Sequence, residues 1–271
     1  MELGTAHRLA IDVGNSRIKL GLFAISPPPA RGALPTCLQR IVVPASEDVP
    51  WNTLLEWKAA CPSWRPAVMA GSNPHGVERL LAEWPISLGP SLKHITNTDE
   101  FPLLIRVGEP RRVGIDRLLN AVAVNELRQA DQLAVVVDSG TATTVDLIAA
   151  DGGFSGGAIL PGLALSAKAL HEYTALLPLV SVAELGQDTP EPIGQNTRAA
   201  ISSGLFWGQL GAVKELIDRQ GGANAEVFVT GGGGALLTTY LPRARFEPHL
   251  ALQGLVLVAT RLEQSLDETD A

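Results

Sequence analysis

The sequence predicts a mixed α/β protein of two domains, each opening with a strand hairpin that carries an aspartate. Three observations predict it. The chain has 271 residues, too many for one ordinary core and suited to two modest domains. Apolar residues make up 46% and charged residues 18%, which supplies a sizeable core and argues against wholesale disorder. A strand, an Asp-x-Gly-polar turn and a second strand occur in that order twice, at Asp12 and again at Asp138.

The elements follow in chain order. Leu9-Ala10-Ile11 reads as a short buried strand, and Ile18, Leu20 and Leu22 alternate with Arg17, Lys19 and Gly21 as a second. Pro27-Pro28-Pro29 should be an exposed loop, in a region running loosely to Pro35. Ala67 to Ala70 is apolar and enters the turn Gly71-Ser72-Asn73-Pro74, after which Val77 to Trp84 is helix-like. Asp116 to Arg128 has helical periodicity, with Leu118, Leu119, Val122 and Leu127 apolar. Leu133 to Val137 is a strongly apolar strand that ends at Asp138-Ser139-Gly140-Thr141-Ala142-Thr143-Thr144, and Val145, Leu147 and Ile148 resume it. Ala199 to Ile217 reads as a long helix, and Val227 to Val229 as a strand running into Thr230-Gly231-Gly232-Gly233-Gly234. A last helix carries Leu252, Leu255, Val256, Ala259, Leu262 and Leu266 on one stripe. The expected domains are residues 1–126 and 127–271, with the last helix able to pack back on the first.

Four constellations could carry chemistry. An Asp at a strand end, followed by glycine and by Asn, Ser or Thr, offers a carboxylate for a hard cation and close backbone amides for phosphate. One such turn is more often an ordinary tight turn; two, each between apolar strands, point to a nucleotide clamp. The glycine run at Gly231 to Gly234 lets backbone pass close to a ligand or simply makes a turn. In Gly114-Ile115-Asp116-Arg117, Asp116 either caps a helix or takes a proton from a substrate hydroxyl, and Arg117 is either solvated or grips a carboxylate. Spacing alone favours the cap. Ser155-Gly156-Gly157 to Pro161-Gly162 reads as a pocket floor or as a hairpin with a proline turn.

Other classes are excluded or weakened. A net charge of −7 gives no electrostatic reason to bind nucleic acid. Cys37 and Cys61 fit neither a disulfide framework nor a metal spacing, and the five histidines show no paired ligand spacing. No P-loop, no dinucleotide fingerprint and no Gly-x-Ser-x-Gly elbow is present. No stretch approaches a membrane span, and Asp12 interrupts the first apolar run too early for a signal peptide, so a cytoplasmic protein is expected. The tryptophans read as packing residues and Arg111-Arg112 as a solvated charge run.

Taken in order, Asp12 to Ser16, Gly114 to Arg117, Asp138 to Thr144, Gly156 to Gly162, Leu177-Pro178, Gly194-Gln195-Asn196-Thr197 and Thr230 to Gly232 resemble a type III pantothenate kinase over nearly the whole chain. Each motif is weak and the ordered set is strong. The resemblance implies the actin/Hsp70/sugar-kinase superfold, two ribonuclease-H-like domains around an ATP cleft, and a homodimer. It implies phosphorylation of pantothenate by ATP, the first step of coenzyme A synthesis, with Mg²⁺ and a monovalent cation, potassium or ammonium. On matching positions, Asp12, Val13, Gly14, Asn15, Ser16, Arg17, Ile18 and Lys19 would line the phosphate tail, with Asp12 near Mg²⁺, directly or through water. Thr141 would touch ATP and Asp138 would bind the monovalent cation. Gly114, Ile115, Asp116, Arg117 and Thr197 would meet pantothenate, with Asp116 as the base. One pantothenate position departs from the pattern: Val107 stands where the family usually has tyrosine, and Glu109-Pro110 where it has Asn-Pro. Two other readings remain: a non-catalytic nucleotide-binding regulator of the same fold, and a related phosphotransferase with another substrate.

Overall fold

A computed structural model describes residues 6–25, 32–61, 63–90, 92–185 and 189–269. The proline run at Pro27 to Pro29 lies outside the described residues. The elements in order are β1 (His7–Val13), β2 (Arg17–Ala24), β3 (Thr36–Pro44), α1 (Trp51–Ala59), β4 (Ala67–Gly71), α2 (Pro74–Glu83), β5 (Leu92–His94) and α3 (Ile115–Leu127). Then come β6 (Leu133–Ser139), β7 (Ala142–Ile148), β8 (Phe154–Pro161), α4 (Leu163–Glu172), α5 (Val182–Leu185), α6 (Thr197–Gln220), β9 (Ala225–Thr230), α7 (Gly234–Thr238), β10 (Ala244–Phe246) and α8 (Leu250–Thr269).

The chain divides into two compact units, one of residues 1–129 with 249–271 and one of residues 130–248. Each unit holds one five-stranded sheet, ordered β3-β2-β1-β4-β5 in the first and β10-β9-β6-β7-β8 in the second. The two sheets repeat one plan. An antiparallel hairpin (β1–β2, β6–β7) takes a third antiparallel strand on its outer side. Two parallel strands extend the other side, β4 and β5 in one unit and β9 and β10 in the other. That plan belongs to the actin/Hsp70/sugar-kinase superfold.

Strand alternation decides which helix covers which face. In the first unit Leu9, Ile11, Val13, Ile18 and Leu20 pack against Leu54 of α1 and Val77 and Leu80 of α2. The opposite face carries Gly21, whose neighbours include Leu252 of α8. Helix α8 also lies along α3, β1 and β4. Its stripe is buried at Leu252, Leu255, Val256 and Ala259; the side chain of Leu266 lies outside the described residues. Arg8, fully buried in β1, donates to Thr260 (3.2 Å) and pairs with Glu263 (2.5 Å). A buried guanidinium is tolerable only when so paired. In the second unit Val135, Val137, Val145, Val227 and Val229 pack on Phe206, Leu210 and Val213 of α6 and Leu237 of α7.

The structure adds one strand that the sequence reading does not name, moves one helix start and takes the hairpin alternative at Ser155 to Gly162. The segment from Thr36 is an edge strand with no regular alternation of burial, so no period marks it. Helix α2 starts at Pro74 rather than Val77, because Asn73 accepts the Gly76 N–H (3.2 Å) and proline fits the first helical position. Of the two readings of Ser155 to Gly162, the structure has a strand, β8, followed by Gly162 as the N-cap of α4. Among the described residues, no helix is long and apolar enough to cross a membrane.

The α3–α8 crossing depends on one missing side chain. A Cβ at Gly254 would stand 2.0 Å from the Leu119 carbonyl oxygen. Gly254→Ala should therefore part the helices and cost about 2–3 kcal/mol in urea unfolding, the range of an overpacked core. Gly211 in α6 has nothing within 4 Å of such a Cβ. Gly211→Ala should be neutral or stabilise by up to about 1 kcal/mol in the same measurement.

Candidate active site

In the first unit the chain turns between β1 and β2 at Gly14, Asn15 and Ser16. The Gly14 N–H donates to the Arg17 carbonyl (3.0 Å), which closes the turn. Asn15, Ser16 and Arg17 are exposed while Val13 and Ile18 are fully buried. The turn is thus a polar tip on an apolar stem. Asp12 is buried and paired across the hairpin with Lys19, and their side chains meet at 3.0 Å. A buried carboxylate is tolerable when it is paired in this way. The turn is braced from behind by the end of β4. Ser72 and Asn73 donate their N–H groups to the Val13 carbonyl (3.0 and 3.3 Å), and the Asn73 side chain also reaches the Gly14 carbonyl (3.4 Å). In sequence Asn73 reads only as a turn residue. The signal for more is Asn directly before Pro, the N-cap and first position of a helix.

Asp116 lies in the same unit, at the second residue of α3. Spacing favours it as the N-cap, and the structure corrects this: Gly114 is the N-cap, with no side-chain cap. Asp116 Oδ1 accepts the N–H of Arg117 (2.9 Å). A carboxylate in a first turn is favoured by the helix dipole. A Cβ at Gly114 would lie 2.6 Å from Asp116 Oδ1, so glycine keeps space beside that oxygen. Ile115, Asp116 and Arg117 are half-buried, as is Val107 in the irregular segment ahead of them. Arg111 and Arg112 are exposed, on a 3-10 turn at Pro110–Arg112, with Asp99 and Glu109 beside them (3.9 and 3.1 Å).

In the second unit three turns meet at one end of the sheet. Asp138 and Ser139 close β6, and Gly140 donates to Ala142 (3.0 Å) to turn into β7. Gly162 donates to the Thr141 carbonyl (3.0 Å), and a Cβ there would collide with Gly140 and Thr141. Gly233 donates to the Ser139 carbonyl (2.9 Å). Gly231 has φ +86°, and its Cβ would sit 2.5 Å from Asp138 Oδ1 and 2.6 Å from the Ser139 carbonyl oxygen. The carboxylate and the exposed Thr141 therefore share one backbone cradle. From inside, buried Gln209 of α6 donates to Thr143 (2.6 Å), a residue that sequence gives no reason to single out. Ligands of open α/β sheets collect at such carboxyl ends.

Thr197 stands on another element, as the first residue of α6. Asn196 caps the helix by accepting the Ala199 N–H (2.9 Å). Gln195 to Arg198 are exposed. Arg198 is held by Glu184 (2.7 Å), and hydrogen bonds from Arg198 and Ser181 keep the Glu184 carboxyl below its usual range.

Oxygen donors dominate both sheet ends. The described residues contain no group of three or more His, Cys, Asp or Glu side chains suited to holding a metal. Lone carboxylates with backbone carbonyls suit hard cations that share their shell with phosphate and water.

The Gly231 geometry gives a test on stability alone. Gly231→Ala combines left-handed strain with collision at Asp138, and should cost about 2–4 kcal/mol by calorimetry. Gly222 has φ +55° with nothing within 4 Å of its Cβ. Gly222→Ala should show only the strain, about 1 kcal/mol.

A family model described as type III pantothenate kinase matches residues 8–219. A type III pantothenate kinase of Ruegeria sp. (strain TM1040) is 44% identical over 159 residues, 57% of this chain and 58% of that protein, so the match spans less than two thirds of that relative. One from Moorella thermoacetica is 33% identical over 270 residues, 93% of this chain and 98% of the relative. Two solved structures share the fold. One from Campylobacter jejuni, provisionally assigned to the Baf family of transcriptional activators, superposes with TM-score 0.61 at 21% identity, covering 94% and 99% of the two chains. The other, the activator of 2-hydroxyisocaproyl-CoA dehydratase from Clostridium difficile with bound ADPNP, gives 0.55 at 13% identity over 97% of each chain.

Proposed function

This chain belongs to the type III pantothenate kinase family, and from that premise we propose that it transfers the γ-phosphoryl group of ATP to the hydroxyl of pantothenate, giving 4′-phosphopantothenate. The observation that carries the reading is the set of matched motifs seated on strand ends and helix starts, with Asp116 oriented by its own helix and given room by Gly114.

Phosphoryl transfer passes through a loose transition state, so positioning and charge neutralisation outweigh strong base catalysis. The turn from Asp12 to Lys19 receives the phosphate tail on its exposed amides and hydroxyl. Lys19, now paired with Asp12, offers an ammonium to the same phosphates. Asp116 accepts the proton of the pantothenate hydroxyl and orients its oxygen for in-line attack, and Arg117 grips the carboxylate. Thr197 adds a hydroxyl to pantothenate at the start of α6, and Thr141 touches the nucleotide. Asp12 would hold Mg²⁺, directly or through water. Asp138 with the Ser139 carbonyl would hold potassium or ammonium; the cradle that a Cβ at residue 231 would fill suits an oxygen-ligated cation. Both cations supply positive charge against the phosphates. Val107 in the usual tyrosine position removes an aromatic contact to pantothenate, which favours a higher KM. The same substitution motivates a second reading, a regulator that binds nucleotide without turnover.

Homodimerisation is part of the proposal. Tyr173 and Leu176 are 86% and 90% exposed, with Leu165, Leu170 and Leu179 also open to solvent. An apolar patch of that kind on a monomer is a poor surface for water and a good one for a second copy. We infer a cytoplasmic enzyme, in keeping with two free thiols, Cys37 and Cys61, that burial keeps protonated.

The deciding measurement is phosphopantothenate release with ATP, Mg²⁺ and potassium. Wild type should turn over, and Asp116→Asn should lower kcat by about 100-fold or more while the ATP dissociation constant stays unchanged. Omitting monovalent cation should reduce wild-type turnover. ATP binding without product in wild type would select the regulator instead. In light scattering the wild type should have about twice the 28.6 kDa chain mass, and Leu176→Asp should return it to monomer.

A further inference from the structure

The segment Thr189–Asn196 belongs to no strand, yet it is fixed against α6 at successive points. The Pro190 carbonyl accepts from Trp207 Nε1 (2.9 Å) and the Pro192 carbonyl from Ser203 Oγ (2.8 Å). A Cβ at Gly194 would stand 2.1 Å from the Ala200 nitrogen, and Asn196 caps the helix at Ala199. Positions 190, 192, 194 and 196 thus meet 207, 203, 200 and 199 in turn. The segment is a strap laid back along the first turns of α6, and its register leads directly to Thr197. Ser203 and Trp207 are four residues apart and share one helix face.

The strap is not held for its own burial. Glu191, Pro192 and Ile193 are exposed, Ile193 at 80%. Its two prolines carry no N–H, so it has few donors to spend on itself. Polar ties from the helix do the holding. Trp207 is itself clamped in an edge-to-face cluster with Phe206 (4.9 Å) and Tyr240 (5.5 Å), and the Tyr240 hydroxyl bonds Thr189 at the strap's start. What this fixed strap presents to solvent is the run Gln195 to Arg198 at the N-terminus of a 24-residue helix. Exposed side chains on a rigidly registered backbone suit a binding surface, since orientation is set before the ligand arrives.

We propose that Ser203 and Trp207 are positioning residues for the alcohol substrate: by fixing the strap they set where Thr197 and the first amides of α6 meet pantothenate. This rests on the kinase reading above. Neither residue touches substrate; both act through the strap.

Ser203→Ala and Trp207→Phe each delete one donor while keeping size or ring packing. Each should raise the KM for pantothenate about fivefold, the factor a lost hydrogen bond of ordinary strength gives. The kcat and the KM for ATP should stay within about twofold, and amide exchange across Ile193 to Thr197 should quicken in the free protein. Trp84→Phe is the control, because it removes an equivalent indole bond, to the Gly89 carbonyl (3.0 Å), in the other unit. It should move neither the strap's exchange nor the pantothenate KM. Trp207 is also the only one of five tryptophans outside the first unit, which holds Trp51, Trp57, Trp64 and Trp84. The part of the fluorescence change on adding pantothenate that reports the strap should therefore be lost in Trp207→Phe and persist in Trp84→Phe. An active wild type whose Ser203 and Trp207 variants keep its pantothenate KM, or raise both KM values alike, overturns this proposal alone. A wild type without pantothenate turnover overturns the kinase reading and this proposal with it.

Discussion

Close approach of backbone to backbone at the sheet ends is the constraint on which the rest depends. At Gly231 and Gly162 a single Cβ would sit within 2.5 Å of a carboxylate or carbonyl oxygen. No rotamer change relieves such a collision, because the obstacle is largely main chain. The close approach brings three turns of the second unit together around Asp138 and Thr141. Amides and carbonyls are then fixed in place before any phosphate or cation arrives. Preorganised dipoles of this kind are what phosphoryl transfer requires, since the reaction asks for placement and charge more than for covalent help.

The repeated sheet plan explains why there are two aspartate turns and why they differ. Each hairpin ends its first strand with an aspartate at the same topological place. The surroundings then diverge. Asp12 is buried against Lys19, so its charge is answered by a side chain within the hairpin. Asp138 is half-buried and is met by the glycine turn that follows β9. A lysine beside the first turn suits phosphate oxygens; carboxylate and carbonyl oxygens at the second suit a cation. The two sheets share one frame, and the neighbours of each turn give it a different chemistry.

Much of this is legible in sequence because the strands concerned are short, apolar and bounded by Asp, Gly and Asn. Leu133 to Val137 admits no other reading, and the turn after it has no helical alternative. The long helices show their stripes. What sequence hides has physical causes. The strand Thr36–Pro44 is an edge, partly exposed on both faces, so no alternation marks it. Asp116 looks like a cap because caps and first-turn acids share composition; only the backbone of Gly114 separates them. Gln209, Ser203 and Trp207 lie unmarked inside a helical pattern, where a polar residue facing a neighbouring segment looks the same as one facing water.

Helix α6 brings those unmarked residues together. Gln209, beyond Ser203 on the same helix, donates inward to Thr143 on the hairpin that carries Asp138 and Thr141. Ser203 and Trp207 donate outward to the strap that leads to Thr197. Thr143 and Gln209 are both buried, so losing either partner leaves a polar atom stranded in an apolar surround, which is costlier than the bond's net worth. The bonds from Ser203 and Trp207 are part-buried, so losing a donor there costs less stability than losing the buried Gln209–Thr143 bond and mainly loosens position. One helix thus carries two ties, one to the hairpin of Asp138 and Thr141 and one to the strap that leads to Thr197. On the kinase reading proposed above, that difference in burial leaves the strap open to tuning by substitution while the hairpin of Asp138 and Thr141 stays fixed.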